Sequence, residues 1–139
     1  MNRNFLAVLF VVTTLVIFGV FMVWLVKNDL LEQALKNQES PVIIDVHDTF
    51  GDEWQYLAAV CPGDTREAAE KRLGLPSLDT PENGPEPGDN YLVLLDDKGA
   101  YESKKYHRDA IDLCNQKAEP SSRVTFARKG DGWELATAR

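Results

Sequence analysis

The sequence predicts an α+β protein: a single N-terminal transmembrane helix, then a small domain in which two or three helices pack on an antiparallel sheet of four or five strands. Three observations carry this reading. Phe5–Val26 runs for 22 residues without a charge, and Thr13 and Thr14 are its only polar side chains. Beyond it lie short runs rich in β-branched, aliphatic and aromatic residues, Val42–Val46, Tyr91–Leu95, Val124–Arg128 and Trp133–Ala136, with turn residues between them. Between the first two sits Thr65–Leu73, which has the start and stop signals of a helix.

As a helix, Phe5–Val26 would extend roughly 33 Å, enough for a hydrocarbon core of about 30 Å. A cleavable signal peptide would have a shorter apolar region, about 7–15 residues, and a small-x-small cleavage site. Here VKNDLLEQAL follows the apolar run without such a site, so an uncleaved signal anchor is expected. Arg3, Trp24 and Lys27 are the expected membrane-interface residues, the last as a snorkelling lysine beside an interfacial indole. Lys/Arg counting is nearly balanced across the span, with Arg3 and the α-amino group on one side and Lys27 and Lys36 on the other. The closer approach of Arg3 and the amine favours a cytoplasmic N-terminus. Residues 1–4 then form a cytoplasmic tail, 5–26 the span, 27–40 a helical stalk and 41–139 an extracytoplasmic α+β domain on the inner (plasma) membrane.

In the stalk, Leu30, Leu31, Ala34 and Leu35 fall at helical spacing, and Pro41 ends the helix. Val42–Val46 reads as a strand and Thr49–Asp52 as a turn. Asp45, His47 and Asp48 have the side chains of a metal site. An alternating strand would place Asp45 and His47 on one face and Asp48 on the other, so a solvated strand end is expected, with no metal. Asp52–Val60 reads as a helix capped by Asp52, with Trp54, Leu57 and Ala58 on one face, broken by Cys61-Pro62-Gly63. Asp64 and Glu67 then form a capping box for Thr65–Leu73, which buries Ala68, Ala69 and Leu73 and stops at Gly74 before Pro76.

Gly63-x-Thr65, followed by Ala69, Leu73-Gly74 and Pro76, resembles the G-x-T…LG-x-P signature of the small protein A (BamE-like) family of outer-membrane assembly subunits. The match covers Gly63–Pro76, with Asp64 where that family has an apolar residue and a spanning helix in place of its lipid-anchored cysteine. The resemblance implies a helix pair packed on a small antiparallel sheet, as in β-lactamase-inhibitor proteins, and a binding or scaffolding module rather than an enzyme.

Residues 76–90 (PSLDTPENGPEPGDN) form a Pro-rich acidic loop with little to bury. Tyr91–Leu95 is a central strand, Asp96–Gly99 a hairpin turn and Tyr101–Tyr106 the return strand, with Glu102, Lys104 and Tyr106 on one face. His107–Asn115 reads as a short helix or turn that brings Cys114 onto Cys61. Lys129-Gly130-Asp131-Gly132 closes a last hairpin whose Val124, Phe126, Trp133 and Leu135 supply an apolar face.

Cys61 and Cys114 belong to no C-x-x-C pair, and neither follows the span in a lipobox position. A disulfide between them is expected. Closing so long a loop contributes about 4 kcal/mol in the chain-entropy model, and the bond would place the domain in an oxidising compartment. Two buried free thiols are the alternative. A metal-ligating or catalytic thiolate is a third reading, for which His107 lies in sequence reach but no orienting group is evident.

All 22 acidic residues and 14 of the 15 basic ones follow Phe5, a balance of −8. Glu39–Asp97 carries 14 acids against 3 bases, whereas Ala100–Arg139 carries 8 bases against 6 acids. The two halves can attract each other, or the acidic one can face a basic partner. Nucleic acid is disfavoured as a partner, and no small-molecule substrate is identified. Phosphate-loop, dinucleotide, G-x-S-x-G, H-E-x-x-H and calcium-loop motifs are absent from the sequence, so neither catalysis nor a cofactor is expected. The leading expectation is a membrane-anchored accessory or scaffolding protein that presents its domain to a membrane or envelope protein. The alternative is an envelope-resident inhibitor or immunity protein whose acidic segment blocks a basic-site enzyme or toxin.

Overall fold

The computed structural model describes residues 2–27, 29–116 and 119–138, with the side chains of 23–27 excepted. It contains two compact units, Met1–Lys36 and Asn37–Arg139.

The first unit opens with α1 (Arg3–Lys27). Its window Arg3–Met22 is long and apolar enough, by length and composition, to cross a membrane, and every side chain in that window is exposed. The two polar side chains are satisfied within the helix: the hydroxyls of Thr13 and Thr14 donate to the carbonyls of Leu9 and Phe10 at 2.8 and 2.9 Å. In a medium that offers no water, this is how a hydroxyl is accommodated. The expected continuous stalk is not observed. α2 (Leu30–Leu35) starts afresh, because Asp29 lies in an extended conformation and its carboxylate accepts from the N–H groups of Leu31 and Glu32 at 2.8 and 3.0 Å. That side chain satisfies two of the first-turn donors and so nucleates a separate helix. Leu31 and Leu35 are buried, and Leu30 is exposed.

The second unit holds seven strands and two short helices, in the order β1 (Val42–Asp45), α3 (Val46–Phe50), β2 (Tyr56–Val60), α4 (Arg66–Leu73), β3 (Asp89–Leu95), β4 (Tyr101–His107), β5 (Ile111–Asp112), β6 (Arg123–Lys129) and β7 (Gly132–Ala138). The strands form two sheets instead of the one expected. One has the order β1-β6-β7-β5, antiparallel except for the parallel β5·β7 pair; the other is the antiparallel β2-β3-β4. Tyr91–Leu95 is central, as expected.

Three local assignments change, each for a tertiary reason. Asp52–Val60 is not a helix: Tyr56–Val60 pairs residue for residue with Leu95–Tyr91. Leu57, Ala58, Ala59 and Val60 are all buried, so the strand lacks the alternation that identifies a half-exposed one. The expected strand end Val46 and the first half of the expected turn Thr49–Asp52 belong to α3, because Asp45 acts as an N-cap and accepts from the Asp48 N–H at 3.2 Å. His107–Asn115 is not helical. A turn leads into β5, whose two residues are held by pairing with Trp133 and Glu134. Gly132 admits this turn, since a Cβ there would meet the carbonyl oxygens of Asp109 and Ala110.

α4 covers one face of the three-stranded sheet. Ala69 and Leu73 pack with Ala58 and Val60 of β2, Val93 and Leu95 of β3, and Leu75 and Leu78 beyond the helix. Its cap is Thr65, one residue later than expected, whose Oγ1 accepts from the Ala68 N–H at 3.2 Å. Ala68 is exposed instead of buried. On the four-stranded sheet, Val124, Phe126, Trp133 and Leu135 are buried, as expected of the apolar face of the β6–β7 hairpin.

Three links join the sheets. Leu57 and Ser121 exchange two backbone hydrogen bonds, of 2.8 and 2.9 Å. Cys61 and Cys114 form a disulfide that closes 53 residues of chain. Asn90, fully buried on β3, donates to the carbonyls of Tyr106 and Ile111, both at 3.1 Å, and accepts from the Leu113 N–H at 2.7 Å. Asn90→Ala takes from the Ile111 carbonyl and the Leu113 N–H their Asn90 partner away from water, so it is expected to lower the unfolding free energy by about 3 kcal/mol, read from denaturant unfolding of the intact protein in detergent.

Candidate functional site: a docked acidic loop

The Pro-rich segment is not a loose excursion, contrary to the expectation of little to bury. Leu78, Thr80 and Pro85 are buried. Its backbone is held by α4: the Arg66 Nε donates to the Thr80 carbonyl at 2.6 Å, the Arg66 N–H to the Glu82 carbonyl at 3.1 Å, and the Glu70 carboxylate accepts from the Leu78 N–H at 2.9 Å. Ser103 of β4 donates to Asp79 at 2.6 Å. Gly84 lies at φ +90°, and a Cβ there would stand 2.6 Å from the Asp64 carbonyl oxygen, so only glycine permits this close approach.

Docking turns the acids outward. Glu67, Asp79, Glu82 and Glu86 are all exposed, and the carboxylates of Glu67, Glu82 and Glu86 have no ion-pair partner among the described residues. Of the cations on α4, Arg66 holds the loop, Arg72 donates to the Ala59 carbonyl at 2.8 Å and pairs with Asp64 at 3.4 Å, and Lys71 is exposed one turn from Glu67. Glu82 and Glu86 thus stand exposed on a backbone that Arg66 and Glu70 hold in place.

A second polar cluster lies beside the disulfide. Asp112 pairs with Arg108 through two contacts of 3.0 and 3.3 Å, with Lys129 at 3.3 Å, and accepts from the Cys114 N–H at 3.0 Å. Burial pushes the Asp112 carboxyl up, but the Arg108 guanidinium, the Cys114 N–H and the Lys129 ammonium outweigh it and hold it below the usual carboxylate range. Pro87, Gly88 and Asp109 complete a cleft of about 340 Å³ around these ions. Both cations are bound to Asp112, so the cluster anchors β5 and the segment that carries Cys114.

Among the residues singled out from sequence, Cys61 and Cys114 meet in the disulfide, which removes both as thiolates. Arg3 opens α1 and is exposed. The side chains of Trp24 and Lys27 lie outside the described residues. Asp45, His47 and Asp48 go to separate tasks: Asp45 caps α3 and pairs with Arg123 at 3.4 Å, and His47 pairs with Asp52 at 2.8 Å. The sequence reading missed Asn90 and the loop anchors. An amide at the head of an apolar strand, and Leu78 within a Pro-rich run, were the available signals. Comparison with known proteins finds no family model, curated sequence or solved structure that matches this chain.

Two outcomes are expected. Gly84→Ala should unseat the loop and speed amide exchange in residues 76–88 by about tenfold, while β3 stays protected, as read by hydrogen–deuterium exchange. Asp112→Asn should cost about 2 kcal/mol. It should also weaken the acid dependence of stability. A carboxyl lowered in the folded state stabilises above its unfolded pKa and loses that contribution as pH falls through its folded value, so the wild-type thermal midpoint should drop more steeply than the variant's below about pH 4.

Proposed function

We propose that the chain is a single-pass, membrane-anchored, non-enzymatic accessory protein. Its stapled domain faces the periplasm or cell envelope, the N-terminus is cytoplasmic, and the domain engages a protein partner as a subunit of a membrane complex. The observation that carries this reading is the pairing of an exposed, apolar helix with a domain whose two cysteines are bonded to each other. A disulfide persists in oxidising compartments, and an uncleaved apolar helix would hold the domain at the boundary of one. The short resemblance of Gly63–Pro76 to small protein A domains supports a scaffolding role as well.

The docked loop favours a second reading, an envelope-resident inhibitor or immunity protein. Glu82 and Glu86 stand exposed on a backbone fixed by Arg66 and Glu70, a shape suited to entering a basic cleft.

Affinity purification of the intact protein in mild detergent separates the two. An accessory subunit should bring down a stoichiometric membrane complex; recovery of the protein alone across several detergents would count against that role. An inhibitor should bind a secreted hydrolase or toxin tightly, with affinity falling about tenfold or more when Glu82 and Glu86 are both changed to Lys, and falling also with salt.

A further inference from the structure

β1 is an edge strand with one open side. It pairs only with β6, in the register Val42↔Phe126 to Asp45↔Arg123. The Val46 N–H bonds the Ser122 carbonyl at 3.0 Å, and the Arg128 N–H bonds the Ser40 hydroxyl at 3.0 Å. Antiparallel ladders alternate bonded and non-bonded pairs. Val42 and Ile44 therefore face β6, and the N–H and C=O of Ile43 and the N–H of Asp45 point away from it, while the Asp45 carbonyl opens α3. Among the described residues, no other strand pairs with β1 and no residue bonds the outward groups of Ile43.

The side chains along this edge are not those of a protected one. β4, the long edge strand of the other sheet, carries the exposed charges Glu102, Lys104 and Lys105, which discourage strand addition. β1 instead exposes Ile43 at 67%, one of only two large apolar side chains exposed in the described second unit; the other is Tyr56, at 39%. Tyr56 also lines a cleft of about 440 Å³ with Asp45, His47, Gln55 and Ser122. Its surroundings are acidic. Asp48 is exposed, Asp52 pairs with His47, and Arg123 pairs with Asp45, so with neutral histidine three carboxylates meet one cation.

We propose that β1 receives an extended segment of the partner protein as an added strand. The incoming strand sets an apolar side chain on Ile43 and, two residues along on the same face, a Lys or Arg that enters the cleft at Asp45. Backbone hydrogen bonds to the N–H and C=O of Ile43 and to the N–H of Asp45 hold it, and the period-2 spacing of the two side chains specifies it. A second copy of this chain fits less well. With both outward residues paired antiparallel, Ile43 would face the carboxylate of Asp45 in each direction. The proposal deepens the reading above, a domain that recognises a protein, and rests on it.

The test is selection of random heptapeptides displayed on phage against the full-length protein in detergent micelles. The expected winners alternate, with an apolar residue and a Lys or Arg two positions apart. Their Kd should rise about tenfold or more on Ile43→Asp and on N-methylation of a peptide ladder amide, and stay within about twofold on Lys104→Glu at the far edge. Enrichment of no peptide, or winners indifferent to Ile43→Asp, would overturn the proposal. Ile43 is exposed, so circular dichroism should show the variant folded. A stoichiometric membrane complex that forms equally well with Ile43→Asp would remove this docking mode and leave the accessory role standing. Peptide binding at β1 with no complex recovered would do the reverse.

Discussion

The buried amide of Asn90 is the group on which the second unit most depends. It stands at the start of β3 and ties together backbone from three places: Tyr106 on β4, Ile111 on β5 and Leu113 beyond it. A side chain with both donors and an acceptor is required to do this, and burial makes any missing partner costly. The disulfide sits next to it, through Cys114, and the Asp112 cluster fixes the turn between them. Covalent bond, amide and ion cluster thus converge on residues 108–114, the short link on which the two sheets meet.

This junction explains how a small unit keeps two sheets in register with modest cores. α4 covers one face of the three-stranded sheet with Ala69 and Leu73, and the loop adds Leu78. Small residues at Ala58 and Ala69 let helix and sheet approach closely but bury little area each. Polar links and a staple take up a larger share of the work than in a larger domain.

Much of the architecture was legible in the sequence, and the failures share a cause. The span, the central strand Tyr91–Leu95, the β6–β7 hairpin, the α4 segment and the cysteine pairing all rest on local signals: length, β-branched runs, turn glycines and caps. Tyr56–Val60 was misread because a strand buried on both faces shows no alternation, and its two alanines suit a helix equally well. β5 has no local signal at all; its two residues are strand only because β7 lies alongside. The loop was misjudged by composition, since four prolines and six acidic or amide residues obscure Leu78, Thr80 and Pro85, which bury themselves once Arg66 and Glu70 hold the backbone. The exposed acids Glu82 and Glu86 follow the same logic: charge count was visible, while the hold on their backbone came from contacts distant in sequence.

The proposal about partners rests on reading the apolar helix as an anchor and the disulfide as the mark of an oxidising compartment. The most direct test is thiol labelling of intact cells with a membrane-impermeant maleimide, before and after treatment with an impermeant reductant. An outward-facing, disulfide-bonded domain predicts no labelling of Cys61 and Cys114 before reduction and labelling of both afterwards, without permeabilisation. Labelling that needs no reductant and appears only once the membrane is opened would contradict both the orientation and the compartment.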